Sequence, residues 1–547
     1  MNSSSRKPPS ADFDVLVIGA GHNGLTCACY LARAGRRVAV FERRSLVGGA
    51  AVTEEFHPGF RNSSASYTVS LLDAGVIREL RLAEHGLRIV ERPMQNFLPL
   101  PDGESFSAGP DSAATLAELR RFSTRDADRL PEFNALLGRA VALLRGMLKR
   151  TPPTDLDRGR DLWELLRFGR EFRALPQATQ RELHEFFTRS AGEILDHWFE
   201  SEAIKALFGF DSVVGNYASP YTPGSGYVLL HHAFGEVNGK SGVWGHAIGG
   251  MGAITQALAA EARRLGVHIE CDAPVERVIT SRDGRGANGR VRATGVKLAD
   301  GRVFGAPRVV GNLGPKPLYL GLLAPDDLPE DFRTHIERWR VGSATFRMNL
   351  ALSQLPQFEA RRSRSDESHL GAGIIIAPSL AYMDRAHAEA RLYGISREPI
   401  IEMLIPSTLD DSLAPAGAHV ASLFCQHFAY ELPAGHHWSD AAERTAAAEL
   451  VIDTLATWAP NLRRSLIGYS ALSPLDLEQR FGLAGGDIFH GALGLDQLWA
   501  ARPALGFGDY RSPVAGLYLC GAGAHPGGGV TGLPGFNAAR EILRDGR

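Results

Sequence analysis

Lysine is scarce in this 547-residue chain: Lys7, Lys149, Lys205, Lys240, Lys297 and Lys316 are the six present, so arginine supplies the other 53 of 59 basic residues. That bias is compositional rather than functional. The formal charge of −2 and a pI near 6.8 offer no electrostatic reason to expect a nucleic-acid partner. Cysteine is also sparse: Cys27, Cys29, Cys271, Cys425 and Cys520 include no CxxC pair, which excludes a zinc ribbon and a dithiol redox centre. Scattered cysteines suit a reducing compartment. No run approaches the roughly 18 apolar residues of a membrane span. The opening segment Met1–Asp14 is polar, without the apolar core of a secretory signal. The expected location is therefore the cytoplasm, or the mitochondrial matrix in a eukaryote. The length exceeds what one hydrophobic core supports, so two lobes are expected.

What is present begins at Asp14. An apolar run, Val15–Ile18, precedes Gly19-Ala20-Gly21-His22-Asn23-Gly24, a GxGxxG between a predicted strand and a helix reaching Ala34. Gly19 permits the turn, Gly21 lets a pyrophosphate approach the backbone, and Gly24 lets the helix pack close to the strand. The helix N-terminus offers free N–H groups and a positive dipole end to phosphates. Glu42 closes the next apolar strand, where a carboxylate binds ribose hydroxyls and repels a 2′-phosphate. This much fits NAD and FAD alike. Arg43 and then Gly48-Gly49-Ala50 continue with a second glycine turn placed to meet the pyrophosphate again, and no second GxGxxG follows. That favours FAD in a glutathione-reductase type 2 arrangement, without a separate NAD(P) domain.

At the other end, Gly516–Arg540 reads GLYLCGAGAHPGGGVTGLPGFNAAR. With Gly19–Gly24, Gly249–Gly252, Phe481–His490 and Leu495–Leu498, it resembles the carotenoid desaturase/ketolase (phytoene desaturase-like) superfamily of flavoproteins. The matching runs come from the start, middle and end of the chain. The resemblance implies an α/β fold: a Rossmann-like FAD-binding domain of amine-oxidase-like architecture with an inserted α+β substrate domain. We expect the FAD-binding domain to comprise residues 1–95, 246–324 and 491–547. The substrate domain is expected from 96–245, largely helical, and 325–490, a mixed sheet. Gly521 and Gly523 would face the ribityl chain, and the helix opening near Gly532 would aim its N-terminus at the ring. Val275 matches the position whose backbone meets adenine.

The resemblance implies hydride transfer from a small apolar or amphipathic substrate to the flavin, with oxygen or a quinone as electron acceptor. His525, between the glycine turns, and His57, after Gly48–Ala50, are the candidate catalytic side chains. A flavin amine oxidase on the same fold is one alternative, weakened because Lys316 comes too early for the lysine of that group. Non-catalytic escort proteins share the architecture, but the phosphate glycines here are intact. A regulatory flavoprotein acting through a protein partner is a further alternative. His231-His232 suggests metal, yet adjacent side chains diverge and no third ligand is suitably spaced, so a structural role is expected. The Arg-rich amphipathic stretch Leu143–Leu175 reads as a solvated helical face, or else as a contact with a membrane surface. No motif addresses oligomeric state.

Overall fold

A computed structural model describes residues 13–109, 111–155, 158–283, 289–361 and 366–546. Most of the polar opening segment thus lies outside the described residues. Four-residue apolar strands buried on both faces are the mark of a parallel sheet covered by helices, and the chain opens with two. Strand β1 (Val15–Ile18) leads through Gly19–Gly21 into helix α1 (His22–Arg33), which returns to β2 (Val38–Phe41). Much later the chain adds helix α2 (Gly252–Arg264), β3 (His268–Glu270), β4 (Val309–Gly311), β5 (Leu517–Leu519) and helix α3 (Leu533–Arg544).

These strands form one parallel sheet in the order β3-β2-β1-β4-β5. Leu16 pairs with Ala39 on one side and Val309 on the other, and Val309 pairs with Leu517. Strand order therefore reverses between β1 and β4. In open α/β sheets the crevice at such a reversal, beyond the carboxyl ends of the strands, is where ligands bind. Gly19 follows β1 into that crevice. Asn312 follows β4 and donates its backbone N–H to Ile18 at 2.9 Å.

Helices α1 and α3 cross at the same place. A Cβ on Gly535 would stand 2.0 Å from the Asn23 carbonyl oxygen, so only glycine allows the approach. The first helix ends within a residue of the sequence expectation: α1 stops at Arg33 rather than Ala34.

A second, seven-stranded sheet runs Leu466–Leu472, Thr345–Leu352, His419–Phe428, Ile395–Leu404, Gly373–Ile376, Asn96–Pro99, Ser105–Ala108. It is antiparallel except where Gly373–Ile376 pairs with Asn96–Pro99. Helices between Ser112 and His232 pack their apolar faces together and against Ile375, Ile400 and Phe424 of this sheet. Among them, helix Gly159–Arg173 follows the break at Pro152-Pro153 and leaves Leu162, Trp163, Leu165 and Leu166 exposed. Among the described residues no helix is long and apolar enough to cross a membrane.

The tight crossing gives a stability test. Gly535→Ala forces α1 and α3 apart and should cost about 1–3 kcal/mol, the usual penalty of overpacking. Gly138→Ala, in helix Thr124–Leu148 with nothing within 4 Å of the new methyl, should be neutral or stabilising. Thermal unfolding of both variants checks this; equal melting points would refute the contact.

Candidate cofactor and substrate cavity

The crevice opens into a cavity of about 350 Å³. One end is walled by Ile18, Gly19, Gly21, His22, Asn23, Phe41, Glu42, Arg43, Gly49, Ala50, Pro274 and Val275. These are the tips of β1 and β2, the start of α1, and the second glycine turn. Gly21 and Gly48 form a backbone bridge, and a Cβ on Gly49 would come within 3.2 Å of the Gly21 Cα. Two bare backbone segments thus converge at the start of α1. That helix has no side-chain cap and no acidic residue in its first turn, so its N–H groups are free for an anion. The Asn312 side chain braces the turn, its Nδ2 donating to the Gly19 carbonyl at 3.3 Å.

Glu42 is 5% exposed, and its two oxygens accept from the backbone N–H groups of Ala20 at 2.8 Å and Arg44 at 3.0 Å. The carboxylate is fixed at the cavity wall with lone pairs to spare for a ribose diol. Arg43 donates to the Gln479 carbonyl at 2.9 Å and meets Gly482, which with Phe481 and Leu483 lines the same end.

The other end is lined by Tyr67, Thr68, Leu71, Val214, His231, His232, Trp244, Leu313, Phe424, Ile488, Phe489, His490, Ala522, Gly529 and Val530. Tyr67 packs against the Phe424 ring, 5.2 Å away, and the Arg347 guanidinium, 4.7 Å away. Its hydroxyl donates to Glu402 at 2.5 Å, and burial, ahead of that carboxylate, pushes the phenol well above its ordinary pKa. Glu402 sits behind the wall near Arg92 at 3.8 Å.

Four imidazoles face this cavity, all held neutral chiefly by burial. His22 is lowered to about 3, with His490 adding to the effect. His231 is lowered to about 3, with His232 contributing, and His232 to about 4. His490 is lowered to about 4, Arg502 being the next cause after burial.

The structure thus brings Gly19, Gly21, His22, Asn23, Glu42, Arg43, Gly49, Ala50 and Val275 to one cavity. Ala20 supplies the N–H that holds Glu42, Gly48 the bridge to Gly21, and Gly24 the close packing of α1, its added Cβ meeting the Gly19 carbonyl at 2.3 Å. Gly521 and Gly523 stand just behind the wall, against the Leu313 carbonyl and Pro315. Gly532 is the N-cap of α3 and packs on Thr26 and Val76.

The two candidate catalytic histidines lie outside the wall. His525 is turned inward, its Nε2 on the Met147 carbonyl at 3.1 Å and its ring against Trp499. His57 packs on Phe60 and Gly468. Conversely, His231 and His232, expected to be structural, are wall residues, and among the described residues no cluster could hold a metal. Tyr67, Trp244 and His490 were missed; only the Phe481–His490 run carried any signal.

The model of the flavin containing amine oxidoreductase family matches residues 24–346. The chain belongs to this family. It is 40% identical to pyridine nucleotide-disulfide oxidoreductase domain-containing protein 2 of Rattus norvegicus, over 98% of this chain and 94% of that protein. It is 25% identical to the lycopene-forming phytoene desaturase of Pseudescherichia vulneris, over 95% of this chain and 96% of that protein. Among solved structures, cyclohexylamine oxidase of Brevibacterium oxydans shares the fold, with a TM-score of 0.57 at 17% identity over 98% of this chain and 99% of that one. The protein is therefore an FAD-dependent oxidoreductase. The residues fit that cofactor: the uncapped start of α1 and the bare glycine turns suit a pyrophosphate, and Glu42 suits a ribose.

Glu42→Ala should weaken FAD binding at least tenfold, since hydrogen bonds to a charged group contribute about 1.5–3 kcal/mol. Recovery of flavin fluorescence on dilution checks this, and unchanged retention would remove Glu42 from the site. The histidines set a pH dependence. Folded pKa values near 3–4, below the unfolded value of about 6.5, mean that the folded state binds fewer protons between these limits. Stability should be full above about pH 6.5 and fall as the pH drops toward 4. Melting curves of the holoprotein from pH 8 to 5 test it; a melting point that is level or rising on acidification contradicts it.

Proposed function

We propose that the enzyme removes hydride from a C–H bond of an apolar or weakly polar organic substrate, as a dehydrogenase or desaturase. One observation carries this reading. Among the described wall residues Glu42 is the sole carboxylate, and it belongs to the nucleotide end, tied to two N–H groups. The opposite end offers aromatic rings, aliphatic side chains and neutral imidazoles, with no anion at its surface to receive an ammonium group. Glu402 lies behind Tyr67 and is balanced there by Arg92 and Arg347. Lys316 is not a wall residue either, which further separates this site from the lysine-dependent amine oxidase pattern. The likeness to a phytoene desaturase supports an apolar substrate.

FAD bound in the cavity supplies the hydride acceptor. The chain's part is geometric and dielectric. Leu71, Val214, Phe424, Ile488 and Phe489 press an apolar substrate into register and exclude water. Tyr67 keeps its proton through burial and its bond to Glu402, and Phe424 and Arg347 pack against its ring. The imidazoles of His231, His232 and His490 stay uncharged, so they neither repel nor titrate a neutral substrate near pH 7.

Anaerobic mixing of the yellow holoenzyme with candidate substrates tests the proposal. Bleaching of the flavin band by polyenes, terpenes or other apolar C–H donors is expected. Bleaching by primary amines alone would replace the reading with amine oxidation. Reoxidation of the bleached enzyme by oxygen or by a quinone then identifies the acceptor.

A further inference from the structure

Behind the substrate end of the cavity lies a cation that no motif announces. Arg502 is 0% exposed, and among the described residues no ion pair holds it; the Asp487 carboxylate acts on it only at longer range. Instead its guanidinium is enclosed by backbone carbonyls. Nε and Nη2 donate to the Ala522 carbonyl at 3.0 and 2.8 Å. Nη2 also reaches Phe489 at 2.7 Å and Gly491 at 3.4 Å, and Nη1 reaches Gln497 at 3.0 Å and Ala492 at 3.5 Å. Trp339 covers one face, 5.5 Å from its ring centre. Ala522 and Phe489 are wall residues, and His490, between the two accepting carbonyls of that loop, is another.

A buried cation without a paired anion is unfavourable, and carbonyl dipoles offset only part of the cost. The carboxylate whose charge acts on Arg502, Asp487, is itself occupied by the N–H groups of Gly342 and Phe489, both at 2.8 Å. The positive potential of Arg502 therefore extends to the cavity, where it contributes, after burial, to keeping His490 and His231 unprotonated.

We propose that Arg502 is the fixed positive charge that stabilises reduced FAD, and that the same guanidinium positions Phe489–Gly491 and Ala522 against the ring. Hydride brings two electrons and one proton, so a neutral oxidised ring gains one negative charge on accepting it. In a water-poor cavity a cation held in place before that charge develops needs no reorganisation to stabilise it. Arg502 acts here as a positioning and electrostatic residue, and the inference rests on FAD occupying the cavity.

The test is the midpoint potential of the bound flavin, measured by redox titration of holoenzyme against a reference dye, with flavin content determined first. Arg502→Lys keeps the charge and loses the fork; it should melt lower yet hold the oxidised/reduced equilibrium within about twofold. Arg502→Met loses both and should disfavour the reduced form at least tenfold, about 30 mV for a two-electron couple. Asp487→Asn removes the opposing charge and should move the potential the other way, toward easier reduction. Equal shifts in the lysine and methionine variants, or an unmoved potential in Arg502→Met, would overturn the proposal. Where Arg502→Met yields no flavoprotein, Asp487→Asn decides: an unchanged or lowered potential overturns it. A wild-type protein that binds no FAD would instead refute the cofactor assignment.

Discussion

The pairing of β1 with β4 governs the site. Leu16, Val17 and Ile18 meet Val309, Val310 and Gly311 in parallel register, and every wall of the cavity is placed relative to that seam. On one side of it the first βαβ unit carries Gly19–Gly24 and Glu42; on the other, β4 delivers Asn312 and recruits β5, whose continuation carries Ala522, Gly529 and Val530. Because the hydrogen-bonding direction is shared, all strand ends point into one crevice. The α1–α3 crossing at Asn23 and Gly535 locks the covering helices over the same seam.

Three of the ionised groups at this crevice are held by backbone dipoles. Glu42 is bound by two N–H groups, Asp487 by two more, and Arg502 by five carbonyls. The four wall histidines remain neutral because burial opposes their protonation. Main-chain dipoles cannot relax or dissociate as a solvated ion pair can, which suits a cavity whose contents change charge during turnover.

The nucleotide end was legible in the sequence because its residues are close together and each has a local reason. Glycines at 19, 21 and 24 and an acid at 42 describe one βαβ unit, and periodicity located its strands and helix to within a residue. The substrate end was not legible, since its wall is assembled from Tyr67, Trp244, Phe424 and His490, residues brought together by strand pairing across long separations. His525 shows the limit well. Its position between glycine turns placed it beside the site along the chain, yet the backbone turns its ring toward Met147. His231 and His232 were set aside for lack of a third metal ligand, a sound chemical objection that says nothing about lining a cavity. Arg502 carried no pattern at all, because a cage of carbonyls leaves no trace in side-chain identity.

The sheet order also constrains how such a chain is made. Strand β4 is an interior strand in the finished sheet, yet the partner that covers its outer edge, Leu517–Leu519, is translated long after Val309–Gly311. Until then β4 presents unpaired N–H and C=O groups along an apolar strand, the kind of edge that recruits other chains. The nascent protein must therefore carry an open, adhesive sheet through synthesis of the last five strands of the seven-stranded sheet. Cofactor capture is postponed with it, so FAD supply late in biogenesis, rather than early, should decide how much chain escapes aggregation.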